Sequence, residues 1–216
     1  MTDSRFRFGR HYDFYELLAD GIVHGVGIVL ALVGVTALIF HTANSASAAE
    51  VLAASIYGTG LIAALAVSFL YNMLPHSPLK WRLRRADHSA IFVLIAGTYT
   101  PFLHKAASDS VVFALLVAIW TMAALGVALK CLLPGRFDRL AILLYILMGW
   151  SGVIAFRPIA DHLPPLSMLL IVIGGIVYTA GVIFHVWERL RFQNAIWHGF
   201  VVTAAALHYA AVLSAI

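Results

Sequence analysis

Charged side chains are scarce in this chain of 216 residues. Asp, Glu, Lys and Arg make up 11% of the sequence, against about 25% in a typical soluble domain. Hydrophobic residues make up 62%, and the mean hydropathy is +0.93. So few charges cannot cover the surface of a water-soluble fold. The composition therefore excludes a soluble globular protein and indicates an integral membrane protein.

Cysteine is also nearly absent, since Cys131 is the only one in the sequence. A single thiol cannot form an intramolecular disulfide, so neither a disulfide framework nor a redox compartment can be inferred from it. Domain linkers and low-complexity tracts are missing as well. A chain of this length usually forms one domain, and here that domain must lie in the bilayer.

Long apolar runs dominate the sequence, and seven of them approach the roughly 20 residues that an α-helix needs to cross a bilayer. They are continuous, whereas barrel strands of about 10 residues alternate in polarity. The first run exceeds the apolar part of a signal peptide, about 7–15 residues, so we expect it to be retained. We predict an all-α, seven-helix transmembrane domain over 21–216, preceded by a cytoplasmic segment over 1–20, with helices at 21–40, 51–74, 87–103, 111–129, 140–156, 166–187 and 196–216.

Positive charges are concentrated in alternate loops. Only Lys105 and Arg157 fall on one side of the predicted bundle, and the other side holds Arg5, Arg7, Arg10, Lys80, Arg82, Arg84, Arg85, Lys130, Arg136, Arg139, Arg189 and Arg191. Because cytoplasmic loops are enriched in Lys and Arg, the N-terminus is predicted to be cytoplasmic and the C-terminus external. This bias explains the net charge of +4 without a nucleic-acid partner. We expect a multi-pass protein of the inner (plasma) membrane whose partners are membrane lipids.

Polar residues recur at the cytoplasmic ends of four predicted helices. Residues four apart share one helical face, and ionisable groups inside a span usually face the bundle interior and mark a functional site. The residues concerned are Glu16, Asp20 and His24 at the first helix, Ser68 and Asn72 at the second, Asp87 and His88 at the third, and Asn194 and His198 at the seventh. Their similar depth predicts a shared polar pocket between the second, third and seventh helices.

Each of these residues also has a purely structural interpretation. Asp87 follows two arginines and can cap a helix or form a surface ion pair. Asn72 and Asn194 can join helices through hydrogen bonds, and His24 can be a core histidine with its hydrogen bonds satisfied. Histidine and carboxylate groups can hold zinc, but an amide oxygen is a weak zinc ligand. The residues alone therefore do not predict a strong metal site.

Three segments of the chain resemble the hemolysin III proteins, the bacterial branch of the progestin and adipoQ receptor family. They are ELLADGIVHGVG, SFLYNMLPHS with RRADHSAIFVLIAGTYTPF, and FQNAIWHGFVVTAAALHYAAV. The resemblance extends over almost the whole chain. It implies a fold of seven helices with a cytoplasmic N-terminus, which is also the topology that the charge distribution predicts.

The resemblance further implies a zinc site, because the family's adiponectin receptors hold zinc with three histidines on the second and seventh helices. Ser68 and Asp87 match the receptors' serine and water-ordering aspartate, and His198 matches one ligand. Asn72 and Asn194 occupy the other two ligand positions. With one histidine of three remaining, no cofactor is expected. Zinc stays open if His76 or His88 completes the ligand set.

Two functions remain in view. In the first, the protein is a non-catalytic sensor or regulator of membrane state, or a lipid binder, with a polar network in place of zinc. In the second, it is a zinc-dependent hydrolase of a lipid amide such as ceramide, with Ser68 and Asp87 as the catalytic residues that the resemblance implies. The replacement of two histidines favours the first. No amphipathic segment typical of a pore-forming toxin is present.

Overall fold

The computed structural model describes residues 11–216, in which all regular structure is helical. A turn of 3-10 helix at Ser151–Ala155 joins the fifth and sixth helices. The α-helices are α1 (Phe14–Ser45), α2 (Ala48–Met73), α3 (Pro78–Lys105), α4 (Ser110–Leu132), α5 (Asp138–Trp150), α6 (Phe156–Ala160), α7 (Pro165–Val186) and α8 (Gln193–Ala215). Arg5, Arg7, Arg10 and the rest of the first ten residues lie outside the described residues.

Six helical segments within residues 11–216 are long and apolar enough to cross a bilayer. They are α1, α2, α4, the continuous stretch Asp138–Ala160, α7 and α8. The remaining long helix, α3, packs among them but is less apolar, because its first turns carry one lysine and three arginines. The chain is thus a multi-pass membrane protein, and residues 11–216 are all-helical. The count of seven spans and the orientation of the termini stay predictions.

Two helices begin well before the apolar runs that the sequence marks. At α1, the Asp13 side chain accepts from the Glu16 backbone N–H (2.9 Å), and the Glu16 side chain accepts from the Asp13 N–H (3.0 Å). This capping box satisfies N–H groups that would otherwise lack partners at the helix start. At α3, Ser77 provides the cap and Pro78 the first residue. Asp87 therefore lies inside α3 and does not cap it.

The helices form a ring in which α1 packs against both α2 and α8. From there α2 packs on α3, α3 on α4 and α8 on α7, while α5 contacts α3, α4 and α7. Close packing at α3–α4 requires glycine, since a Cβ on Gly126 would lie 2.5 Å from the Phe92 ring. This order makes α1, α2 and α8 direct neighbours, and these three helices carry most of the polar residues predicted to share a pocket.

A carboxylate at the start of α5 joins three helices at the predicted cytoplasmic end. Asp138 accepts from Arg84 of α3 (2.6 Å) and from Lys130 of α4 (2.7 Å). The side chain of Lys130 is only 2% exposed, so this contact supplies the counter-charge that a buried ammonium requires. These two ion pairs fix the ends of α3, α4 and α5 beside the cavity described below.

Candidate functional site

The polar residues of α1, α2 and α8 meet at a cavity of about 860 Å³ at the predicted cytoplasmic end of the bundle. The cavity is lined by His24, Ser68, Asn72, Asn194 and His198, and from α3 by Asp87 and His88. Four of these residues form one continuous chain of hydrogen bonds, which runs from His198 to Ser68, Asn72 and Asn194. The sequence spacing placed them at one depth, and the fold brings them into contact.

Asp20 is the centre of this network, although it is 1% exposed and lies behind the cavity wall. Its Oδ1 accepts a short hydrogen bond from His198 Nδ1 (2.6 Å), and its Oδ2 accepts from Asn194 Nδ2 (2.9 Å). His24 Nδ1 lies 3.4 Å from the same Oδ1. A buried carboxylate is stable only when its oxygens are satisfied in this way. Asp20 therefore connects α1 to α8 through side chains only.

The acceptors around the two histidines fix their tautomers. His24 Nδ1 must donate, because it lies 2.9 Å from the Asp20 backbone carbonyl, which can only accept. His24 Nε2 is buried without a hydrogen-bond partner, and in the neutral imidazole it carries the lone pair. His198 Nδ1 likewise donates to Asp20, which leaves its Nε2 facing Ser68 Oγ at 3.4 Å. Both rings thus turn Nδ1 toward Asp20 and Nε2 away from it, with centroids 4.1 Å apart.

The two asparagines bond to each other. Asn194 Nδ2 donates to Asn72 Oδ1 (2.8 Å), and Asn72 Nδ2 donates to the Ser68 backbone carbonyl (2.9 Å) and lies 3.4 Å from Ser68 Oγ. These contacts assign the nitrogen of each amide, because a reversed Asn194 would set its oxygen against the Asp20 carboxylate and a reversed Asn72 would set its oxygen against the Ser68 carbonyl. The positions that the resemblance aligned with zinc ligands are therefore adjacent in space, but here they form a direct amide pair.

Other residues singled out from the sequence lie at the margin of this cluster. Asp87 lines the same cavity and is half-buried. His88 Nδ1 lies 3.7 Å from Asp138 Oδ1, and the His76 ring packs against His11 with centroids 4.7 Å apart. Neither histidine belongs to the group around Asp20.

Asp20, His24 and His198 form a group that can hold a metal ion, with one donor atom from each residue within 4.8 Å of the others. One carboxylate and two imidazoles are a donor set that divalent transition metals accept. Sequence reasoning placed His24 and Asp20 at the right depth but did not make them ligands. The available signal was their i, i+4 spacing, which puts both on the face of α1 that meets α8.

A second, apolar cavity of about 230 Å³ adjoins the polar one. Ile91, Leu94, Tyr145, Trp197 and Val201 are among the residues that line both cavities. Further from the polar cluster, the apolar cavity is bounded by residues of α5 and α7, including Gly149 and Gly175. The polar cavity and the apolar cavity thus share a wall within one helical bundle.

Comparison with known proteins assigns the chain to a family. The family model described as Haemolysin-III related matches residues 16–209. The chain is 37% identical over 198 residues to the Hemolysin-3 homolog of Bacillus subtilis (strain 168), which covers 92% of this chain and 93% of that protein. It is also 37% identical over 198 residues to Hemolysin-3 of Bacillus cereus, with 92% and 90% covered. The chain therefore belongs to the haemolysin III-related family, as the resemblance predicted.

A mammalian relative extends this relationship. The monocyte to macrophage differentiation factor of Homo sapiens is 32% identical over 208 residues, which span 92% of this chain and 83% of that protein. This similarity supports the place of the chain in the wider progestin and adipoQ receptor superfamily.

Proposed function

We propose that the protein binds an amphiphilic membrane lipid, with the headgroup in the polar cavity and an acyl chain in the apolar one. The observation that carries the proposal is the shared wall between the two cavities. An amphiphile is the class of ligand that needs both environments at once. Occupancy that depends on the lipids present would make the protein a sensor or regulator of membrane state.

The volume and the charges of the polar cavity limit the class of ligand that it can hold. The volume of about 860 Å³ falls within the roughly 300–1,000 Å³ of small-molecule sites. The fixed charges around the polar cavity balance, with Lys80, Arg84 and Arg139 against Asp87, Asp138 and Glu188. A balanced lining favours a neutral or zwitterionic headgroup over a strongly anionic one, because an added net charge would have no counter-charge.

The test uses phosphatidylcholine with a photoreactive diazirine on one acyl chain, in vesicles that contain the purified protein. Gly149→Leu adds a side chain at a residue that lines the apolar cavity, and a Cβ at Gly149 meets nothing within 4 Å. Gly199→Leu is the matched control, because its Cβ also meets nothing and it lines neither cavity. We expect lower crosslinking in Gly149→Leu alone. Equal yields in both variants would contradict binding in this cavity.

We also propose a location in the inner (plasma) membrane, with the N-terminus cytoplasmic. The support is the concentration of Lys and Arg in alternate loops. In this orientation the polar cavity opens at the cytoplasmic leaflet.

A second candidate function is a zinc-dependent lipid amide hydrolase, and the group Asp20, His24 and His198 favours it. One carboxylate oxygen of Asp20 and one ring nitrogen of each histidine lie within 4.8 Å of one another, close enough to share a metal ion. Bound zinc would supply a Lewis acid and an activated water. In this candidate Asp87 would orient the water and Ser68 would assist, as the family resemblance implies. Zinc retained at one ion per chain through purification, and lost in His24→Gln, would support it.

A further inference from the structure

The contacts of His198 have a specific order. Its Nδ1 donates to the buried carboxylate of Asp20 (2.6 Å), and its Nε2 faces the hydroxyl of Ser68 (3.4 Å). Carboxylate at Nδ1 and serine at Nε2 is the arrangement of an acid–base–nucleophile triad, which is recognised by geometry on unrelated folds. The longer serine contact is usual without substrate, because such hydrogen bonds shorten when the substrate binds.

We propose that Ser68, His198 and Asp20 form a metal-independent triad that cleaves an acyl ester or amide bond of an amphiphile held in the cavity. The proposal rests on the lipid binding proposed above, and adds to it a reaction and the residues that perform it. Ser68 and His198 are the catalytic residues, and Asp20 is a positioning residue.

In such a triad the serine and the histidine must be accessible to the substrate, whereas the carboxylate can be buried behind the histidine. Ser68 and His198 line the cavity, so a substrate carbonyl can reach both, whereas Asp20 does not line it. The carboxylate therefore acts only through His198, whose ring it holds with Nδ1 protonated and Nε2 free to accept a proton. Asn194 donates to the other oxygen of Asp20 and keeps the carboxylate in this orientation.

Asn72 provides the donor for the developing oxyanion. Its Nδ2 donates one hydrogen to the Ser68 backbone carbonyl (2.9 Å) and also lies 3.4 Å from Ser68 Oγ, so its second hydrogen is available beside the nucleophile. A side-chain amide beside the nucleophile is an established form of oxyanion donor. The bond from Asn194 to Asn72 Oδ1 (2.8 Å) holds the amide in the required orientation.

The reaction proceeds through an acyl-enzyme. Ser68 Oγ attacks the substrate carbonyl carbon while its proton passes to His198 Nε2, and Asn72 donates to the oxyanion. The carbonyl carbon then loses its bond to the leaving oxygen or nitrogen, which takes the proton from His198 as an alcohol or amine. Water next attacks the acyl carbon and gives a proton to His198, and Ser68 Oγ leaves and regains it. The net reaction consumes one water and yields a carboxylic acid.

The asparagines explain why no metal is needed in this scheme. Where the resemblance implies two histidine ligands, Asn72 and Asn194 bond to each other and to the triad. The same positions thus serve as an oxyanion donor and a carboxylate anchor. His198 keeps its Nε2 for the serine.

The test is covalent labelling of the full-length protein in detergent by two serine-reactive probes, a long-chain alkyl fluorophosphonate and the small diisopropyl fluorophosphate. Ser68 Oγ forms the bond to phosphorus and fluoride leaves. We expect one adduct per chain, mapped to Ser68 by mass spectrometry and unchanged by a zinc chelator. Ser68→Ala should abolish labelling. Ser55→Ala should retain it, because Ser55 is on the same helix but donates to the Val51 carbonyl and does not line the cavity.

Variants of the other members test their separate roles. His198→Gln should slow labelling about 10²–10⁴-fold, the usual contribution of a general base. Asn72→Ala should slow it about 10²–10³-fold through the lost oxyanion donor. Asp20→Asn should lower the maximal labelling rate while the probe concentration at half-maximal rate stays the same, a split that simple loosening of the fold would not produce.

The outcomes separate the triad from lipid binding. No Ser68 adduct with either probe, in wild-type protein that still crosslinks to the photoreactive phosphatidylcholine, overturns the triad and leaves lipid binding intact. Labelling that requires zinc overturns the metal-independent mechanism. A Ser68 adduct with the small probe in protein that does not crosslink to the lipid supports the triad and overturns the proposed ligand.

Discussion

Restoring the two missing histidines should create a tight zinc site. In Asn72→His with Asn194→His, the new imidazoles join His198 on the wall of the same cavity. The present side chains already meet, with Asn194 Nδ2 2.8 Å from Asn72 Oδ1. Tetrahedral zinc with bonds of about 2.0–2.1 Å needs its donor atoms about 3.3 Å apart, and the asparagine contact shows that α2 and α8 bring both positions to the same part of the cavity wall.

The magnitude follows from linkage between binding and folding. When free zinc is a hundred times its dissociation constant, a site present only in the folded state stabilises that state by about 2.7 kcal/mol. The substitutions also remove hydrogen bonds to Asp20 and Ser68, at a cost of about 1–3 kcal/mol for each polar group left unsatisfied. The comparison is therefore made within each variant, with and without zinc.

The assay is thermal unfolding in detergent for the wild type, both single variants and the double variant. We expect a large zinc-dependent increase in the double variant and smaller ones in the singles, because each single lacks one histidine. A folded double variant with no zinc-dependent gain would show that the three positions do not converge. A wild-type gain as large as that of the double variant would favour the group Asp20, His24 and His198 as a zinc site.

Two further predictions concern the ends of the bundle. Asp138→Ala should destabilise the fold by about 3–5 kcal/mol in chemical denaturation, because Lys130 would become a buried charge without its carboxylate partner. The control Arg191→Ala removes an exposed ion pair and should cost at most about 1 kcal/mol. Equal losses of stability in the two variants would contradict this reasoning. In a cysteine-free background, a membrane-impermeant thiol reagent added outside the cell should label Asn44→Cys and not Arg82→Cys. The reverse pattern would invert the proposed orientation.

The helical architecture could be predicted from the sequence, because a long, continuous apolar run is stable in a bilayer only as a helix. The sequence was less informative about helix starts, which depend on single capping residues such as Asp13 and Ser77. The sequence predicted a third span at 87–103, whereas α3 begins at Pro78. Its basic residues therefore lie inside the helix and not in the preceding loop.

For the site, the spacing of polar residues predicted which side chains share a face of one helix, but it did not predict which side chains of different helices meet. The i, i+4 pairs predicted that Ser68 and Asn72 share a face, as Asn194 and His198 do. Which atoms meet depends on how α1 packs against α8, and Asp20 and His198 are 178 positions apart in the chain. Asp20 was therefore one polar residue among several in the sequence, and became the centre of the network only in the fold.

The most direct test of the central claim, that one amphiphile occupies both cavities, is to map crosslinks from two forms of the same photoreactive phosphatidylcholine. With the diazirine in the headgroup, we expect adducts on the peptides that contain Asn72 and Asn194. With the diazirine near the end of the acyl chain, we expect adducts on α5 and α7, near Gly149 and Gly175. Adducts from both forms confined to the outer, lipid-facing surface of the bundle would contradict the account.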